Sequence, residues 1–265
     1  MNRITKLRLA LARLLIPADM LPTREEADLI KSIMDPEVLG SGLMESGDGF
    51  HQQAAAIQVQ IDLETWGLIP GSALRSIGAA VTMPYDVHGL SSESFKVNIT
   101  QESCLAVGLT VDPETVKWWD GQSQEAKDMA TEDAVALSTA LMQFNWWLTG
   151  LVEKAANSEY TVEFALKLGA APILTPCGNG ATMDISLLEA AYRAVNMGYP
   201  WEFWAAKDTR TVVAMGRAVG LIDRRIKRLG VAHEAAADAR YDGARTAAVQ
   251  RAVIALAKPG IALLD

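Results

Sequence analysis

An α/β domain built around a mixed sheet, preceded by an α-helical N-terminal extension, is the fold class this sequence predicts. Three observations carry that reading. Short apolar runs bounded by Gly and Pro occupy residues 56–62, 74–83 and 95–99, as strands do. Beyond residue 113, longer stretches with helical spacing alternate with one further apolar run, so strands come first and helix and strand then alternate. The chain before residue 56 has a different texture, with an amphipathic start and a Gly/Ser-rich stretch.

The 265 residues suit one substantial domain with an appendage, and an apolar content of 50% with seven Trp provides for a packed core. A net charge of −8 argues against a protein that coats nucleic acid through a broad basic surface. It agrees better with carboxylates gathered around cations. Two cysteines, Cys104 and Cys177, make neither a disulfide framework nor a thiolate zinc cluster, so a reducing cytoplasm is expected. No apolar run approaches the roughly 18 residues of a membrane span. Lys6, Arg8 and Arg13 interrupt the start, so neither a signal peptide, an anchor nor a membrane partner is expected.

In chain order, residues 1–15 place Ile4, Leu7, Leu11, Leu14 and Leu15 on one helical face, ending near Pro17. An acidic helix over residues 24–34 and a linker over residues 40–49 complete the extension, residues 1–55. The domain proper, residues 56–265, begins with strands at 56–62 and 74–83, separated by Gly67 and Pro70 and closed by Pro84, followed by a third at 95–99. Helices are predicted over 113–119 and 132–147, a short strand over 172–177, and a helix over 185–195. An Ala-rich helix is predicted over 232–257. Trp118-Trp119 and Trp146-Trp147 sit at helical positions and read as core, with one member of each pair turned outward.

Three places carry chemistry. Asp62 and Glu64, two apart at the end of the first strand, project from the same face. Crowded carboxylates repel unless cations or water compensate, so the pair is either a metal site or a solvated strand terminus. Asp184 is delivered to the start of a helix by the turn Gly178-Asn179-Gly180 and reads as a ligand or as a helix cap. His233 precedes Asp238 by five residues, which suits a base on a mobile helix entry and equally an incidental surface pair. Arg224, Arg225, Lys227 and Arg228 form a basic run that either steers phosphates or is a solvated helix face.

The order of these features, with Leu74-Arg75-Ser76-Ile77-Gly78-Ala79, Asn98-Ile99, Ser103-Cys104-Leu105, Gly108-Leu109-Thr110-Val111-Asp112-Pro113 and Asp208-Thr209-Arg210-Thr211, resembles the DEDDh 3′-5′ exonucleases. These are the RNase T and DnaQ-like group, and the chain is most similar to their small phage and bacterial branch. The resemblance spans residues 56–257. It implies an RNase H-like fold with a mixed five-stranded sheet flanked by helices, and hydrolysis of DNA or RNA from the 3′ end.

By that resemblance Asp62, Glu64, Asp184 and Asp238 hold two divalent cations, Mg²⁺ or Mn²⁺, and His233 is the general base. Glu64 also meets the terminal nucleotide, with Thr65, Trp66, Gly67 and Asn179 around it. Relatives commonly carry His-Asn-Ala-Leu-Asp-Asp-Ala at the last motif. This chain reads His233-Glu234-Ala235-Ala236-Ala237-Asp238-Ala239, with Asp242 one turn on as an alternative ligand. That departure motivates the rival reading of a catalytically silent, DEDD-like nucleic-acid- or partner-binding protein. The expected partner is a single-stranded or 3′-ended nucleic acid, and a homodimer is left open.

Overall fold

The computed structural model describes residues 56–83, 90–157, 173–218, 220, 226, 228 and 233–256. The expected extension and linker, residues 1–55, and the basic residues Arg224, Arg225 and Lys227 lie outside the described residues.

Ten residues, Ala56–Thr65, form the central strand β1, in which Ile57, Val59, Ile61 and Leu63 alternate with Gln58, Gln60, Asp62 and Glu64. Alternation sends these two sets to opposite faces of the sheet. β2 (Leu74–Val81) pairs antiparallel with β1, and β3 (Ser94–Asn98) antiparallel with β2. On the other side β4 (Ile173–Gly178) runs parallel to β1, and β5 (Lys207–Asp208) parallel to β4. The order is β3-β2-β1-β4-β5, a mixed five-stranded sheet.

The helices are α1 (Gln101–Ala106), α2 (Pro113–Asp120), α3 (Gln124–Met129), α4 (Leu137–Ala156), α5 (Ala181–Ala194), α6 (Thr209–Ala218) and α7 (Ala235–Leu256). The odd-numbered apolar side chains of β1 join the main core with Leu137, Leu141, Phe144, Leu148 and Leu151 of α4 and Leu187, Leu188, Ala191 and Tyr192 of α5.

The even-numbered face of β1 is polar and faces α7. Gln250 Nε2 donates to Gln58 Oε1 at 2.9 Å. Thr209 Oγ1 donates to Gln60 Oε1 at 2.8 Å, and Thr246 Oγ1 lies 3.3 Å from Thr209 Oγ1. These side-chain hydrogen bonds hold α7 in register against the sheet. Its small buried residues, Ala235, Ala236, Ala237, Ala239 and Ala247, allow the helix to lie close.

Gly78 of β2, opposite Asp62, is the closest point of that approach. A Cβ there would collide with the Ala235 carbonyl carbon and the Ala236 nitrogen. Both are backbone atoms, which cannot turn aside. Gly78→Ala is therefore expected to cost about 1–3 kcal/mol, the usual penalty of overpacking, and to displace the start of α7. Urea denaturation measures the loss, and an unchanged midpoint would contradict this packing.

Two departures from the sequence reading have local causes, and the tryptophan pairs divide as that reading expected. The helix expected over 132–147 begins at Leu137, because Asp133 takes a left-handed φ of 52° and Val135 bridges to Ile99. The helix expected from 185 begins four residues earlier, at Ala181, where Gly180 turns the chain with φ 116°. Trp119 is buried and Trp118 exposed, and Trp147 packs on Phe95 and Phe144 while Trp146 is exposed.

Candidate active site

The C-terminal end of β1 brings the acidic residues together. Asp62 and Glu64 share the face toward α7, and the ladder with β2 shifts register between Glu64 and Thr65. The strand ends just past that irregularity, at Thr65, which still pairs with Leu74, and Trp66 leaves the sheet. Asp184 enters from the first turn of α5. Gly178 permits this, because a Cβ there would stand 2.9 Å from Asp184 Oδ2 and 3.0 Å from its Cβ. Asp238 and Asp242 come from the first two turns of α7, one turn apart on the same face.

Glu64, Asp184, Asp238 and Asp242 are each less than a tenth exposed. Such a gathering is electrostatically costly. Burial, then the charges of Glu64, Asp184, Asp238 and Asp242, raise the Asp62 carboxyl well above its ordinary range. Burial, then Asp238, pushes Glu64 up to about 8, although Arg75 opposes the shift. Burial also pushes Asp184 up to about 7, against Arg210 and a hydrogen bond from the backbone of Leu63. Asp238 and Asp242 are raised by burial as well, against Arg228 and Arg245 respectively.

The donor set fits a hard divalent cation: carboxylate oxygens, mutually repelling and shut from water. One ligand atom each from Glu64, His233 and Asp238 lies within 4.8 Å of the others. Asp62 and Asp184 stand beside this triad through the interactions just described. Asp242 is tied at Oδ1 to the largely buried Arg245 at 2.9 Å, whereas Asp238 Oδ1 faces the more exposed Arg228 at 2.9 Å. Asp238 is thus the freer of the two.

Raised carboxyl groups make a prediction about the metal-free protein. The folded state retains protons that the unfolded state has released, so the stability these groups contribute is present at acid pH and lost as pH rises. The melting temperature in EDTA should fall between about pH 5 and pH 8. Saturating Mn²⁺ should flatten that fall by stabilising the ionised forms. A metal-free melting temperature that rises across this range would contradict the electrostatic account.

His233 sits at the entry to α7 in a left-handed conformation, φ 65°. Its backbone N–H faces Asp238 Oδ2 at 3.3 Å. Glu234 stands at a changed position of the last motif. Its Oε2 accepts from Ala237 N at 2.7 Å and its Oε1 from Ala236 N at 3.3 Å, so it caps the helix. Lys96 of β3 holds the same carboxylate at 3.3 Å. Capping is thus supplied without the Asn that relatives carry.

A cleft of about 330 Å³ opens beside Glu64, lined among others by Leu63, Thr65, Leu68, Trp118, Trp119 and Met183. Thr65 is in its wall, its Oγ1 donating to Gly67 O at 2.7 Å, and Gly67 is buried against Ser72. Trp66 is not in the lining. Its ring packs 6.5 Å from Trp119 with the Arg75 guanidinium between, 4.6 Å from Trp66 and 4.2 Å from Trp119. Asn179 is half-buried in the turn before α5, also outside the lining.

Two features escaped the sequence reading. Trp118 and Trp119 meet the His233 ring at 5.0 and 6.4 Å. Asp208 accepts from Ala181 N at 2.9 Å and Thr211 N at 2.7 Å, so it ties the starts of α5 and α6 and through them Asp184. No helix among the described residues is long and apolar enough to cross a membrane.

A family model described as the 3′-5′ exoribonuclease Rv2179c-like domain matches residues 57–250. Among solved structures, the nuclease domain of 3′hExo, a DEDDh family member crystallised with rAMP, is similar at 13% identity. The match covers 74% of this chain and 92% of that one, with a TM-score of 0.43. No curated protein matches.

Proposed function

The chain belongs to the family of Rv2179c-like 3′-5′ exoribonuclease domains, and on that premise we propose that it removes nucleotides successively from the 3′ end of RNA, releasing 5′ mononucleotides. The observation that carries this reading is the convergence of Asp62, Glu64, Asp184 and Asp238 with His233 beside one cleft. The fold is that of an RNase H-like nuclease, and the exonuclease unit is residues 56–265. Free, buried Cys104 and Cys177 suit a reducing cytoplasm.

Asp62, Glu64, Asp184 and Asp238 would hold two divalent cations, Mg²⁺ or Mn²⁺, which when bound supply Lewis-acid charge at the scissile phosphate. The protein's own residues do the rest. His233 takes the proton from the attacking water on a ring nitrogen, the role of a positioned general base. The terminal nucleoside occupies the cleft, its sugar against the backbone of Glu64 and Thr65 and its base against Leu68, Trp118 and Met183. Apolar walls exclude water other than the nucleophile. Arg228, paired with Asp238 here, would be able to meet the phosphate chain with Asp238 engaged as a ligand.

The changed last motif does not favour a silent relative, since Glu234 provides the cap and Asp238 keeps its place. The reading is tested with linear and circular single strands of matched RNA and DNA. Linear RNA should be degraded with Mn²⁺ or Mg²⁺ and its circular form left intact. Efficient cutting of the circle would contradict end-directed hydrolysis, and an equal rate on DNA would remove the preference for RNA.

A further inference from the structure

We propose that Trp118 is a positioning residue that orients the His233 ring, an inference that rests on the reading of His233 as the general base. Among the described residues no side chain hydrogen-bonds that imidazole. A histidine base ordinarily has its ring fixed by a carboxylate or carbonyl on the far nitrogen. Here two aromatic rings meet the imidazole, beside the Glu64 and Asp238 carboxylates, each of which has an oxygen within 4.8 Å of a ring nitrogen. The Trp118 and His233 rings meet at 5.0 Å with an interplanar angle of 89°, an edge-to-face contact of the favourable kind. Trp119 backs it at 6.4 Å and meets Trp118 at 5.1 Å and 80°.

The pair is itself held firmly. Trp119 is 2% exposed, and its Nε1 donates to Thr65 O at 2.9 Å. Helix α2 starts at a cap in which Asp112 Oδ1 accepts from Glu114 N at 3.0 Å, and Asp112 N donates to Trp66 O at 2.7 Å. The end of β1, which carries Glu64, therefore fixes α2. Consecutive helical residues diverge by about 100°, so Trp119 points into the core while Trp118, 45% exposed, reaches the cleft and the His233 ring. Its one ring touches both the cleft and the base. A nucleobase entering the cleft would press Trp118 onto His233 and steady it when substrate is present.

A double-mutant cycle with the full chain tests this. Trp118→Ala should lower kcat roughly ten- to a hundredfold, as small misplacements of a catalytic group do. Trp118→Phe, which keeps a ring there, should recover most of the loss. In a His233→Ala background the same Trp118→Ala change should cost nothing further in kcat, because the residue through which it acts is gone. Trp118 is 45% exposed and outside the main core, so its truncation should leave the fold standing, which the melting temperature checks.

A second readout needs neither metal nor turnover. The chain has three histidines, so ¹³C-labelled histidine gives three ring signals, and His233→Ala identifies its own. That signal should move in Trp118→Ala and return toward its parental position in Trp118→Phe. A raised KM with unchanged kcat, an equal loss in both backgrounds, or an unmoved His233 signal would each overturn the positioning role while leaving the base reading intact. His233→Ala turning over at the parental rate would overturn the base reading, and this inference with it.

Discussion

Asp62→Ala and Asp184→Ala are each expected to abolish turnover and to leave the fold standing. Both carboxylates sit among others in a cluster whose burial, with mutual repulsion added, shows in the upward displacement of every member. Removing one relieves the metal-free protein, so its melting temperature at neutral pH should hold or rise. The same deletion dismantles the cation site. Cation charge contributes several kcal/mol to such a reaction, and at 1.36 kcal/mol per tenfold the loss is roughly 10³-fold or more. Steady-state rates on a linear strand, with circular dichroism as the control for fold, measure it. Near-parental cleavage by both variants would remove these residues from the metal site.

His233→Ala has the next largest expected effect. Its four neighbouring carboxylates remain, so Mn²⁺ and a strand end should bind about as they do to the parent. Turnover should fall by roughly 10² to 10⁴, the usual contribution of a positioned acid or base. The loss belongs to kcat and not to KM. Full activity in His233→Ala beside a dead Asp238→Ala would keep Asp238 as a ligand and reduce His233 to a loop residue.

Much of this site was legible because it is local. Alternation along β1 already sends Asp62 and Glu64 to one face, and the Gly-rich turn already delivers Asp184 to a helix start. The run Ala235-Ala236-Ala237 reads as a helix that can lie close to a sheet. What the sequence hides is contact at long range. Trp118 is 115 residues from His233, and no periodicity in either segment announces that they meet. Arg75 lies in a strand whose pattern is apolar, and only the folded chain places its guanidinium between Trp66 and Trp119. The two-residue strand β5 is too short to carry a pattern, and nothing local announces that Asp208 within it meets Ala181 N.

Glu234 is an intermediate case. Glu is not a favoured cap, and its place in a motif where relatives carry Asn reads as damage. Yet the three alanines after it offer no side chain to satisfy the first N–H groups of α7, which is the signal that Glu234 must do so. Trp66 illustrates the reverse. An aromatic directly after the Asp62-Leu63-Glu64 strand invites a stacking role, but the register shift after Glu64 turns its ring against Arg75 and Trp119, outside the lining of the cleft.

The central claim, metal-dependent hydrolysis from the 3′ end, is tested most directly on a single-stranded RNA carrying a 5′ label, followed in time with Mn²⁺ or with EDTA. With Mn²⁺ the labelled strand should shorten one nucleotide at a time while 5′ mononucleotides accumulate, and with EDTA it should remain whole. Shortening that persists in EDTA, or immediate release of the labelled 5′ nucleotide while the rest of the strand stays long, would contradict it.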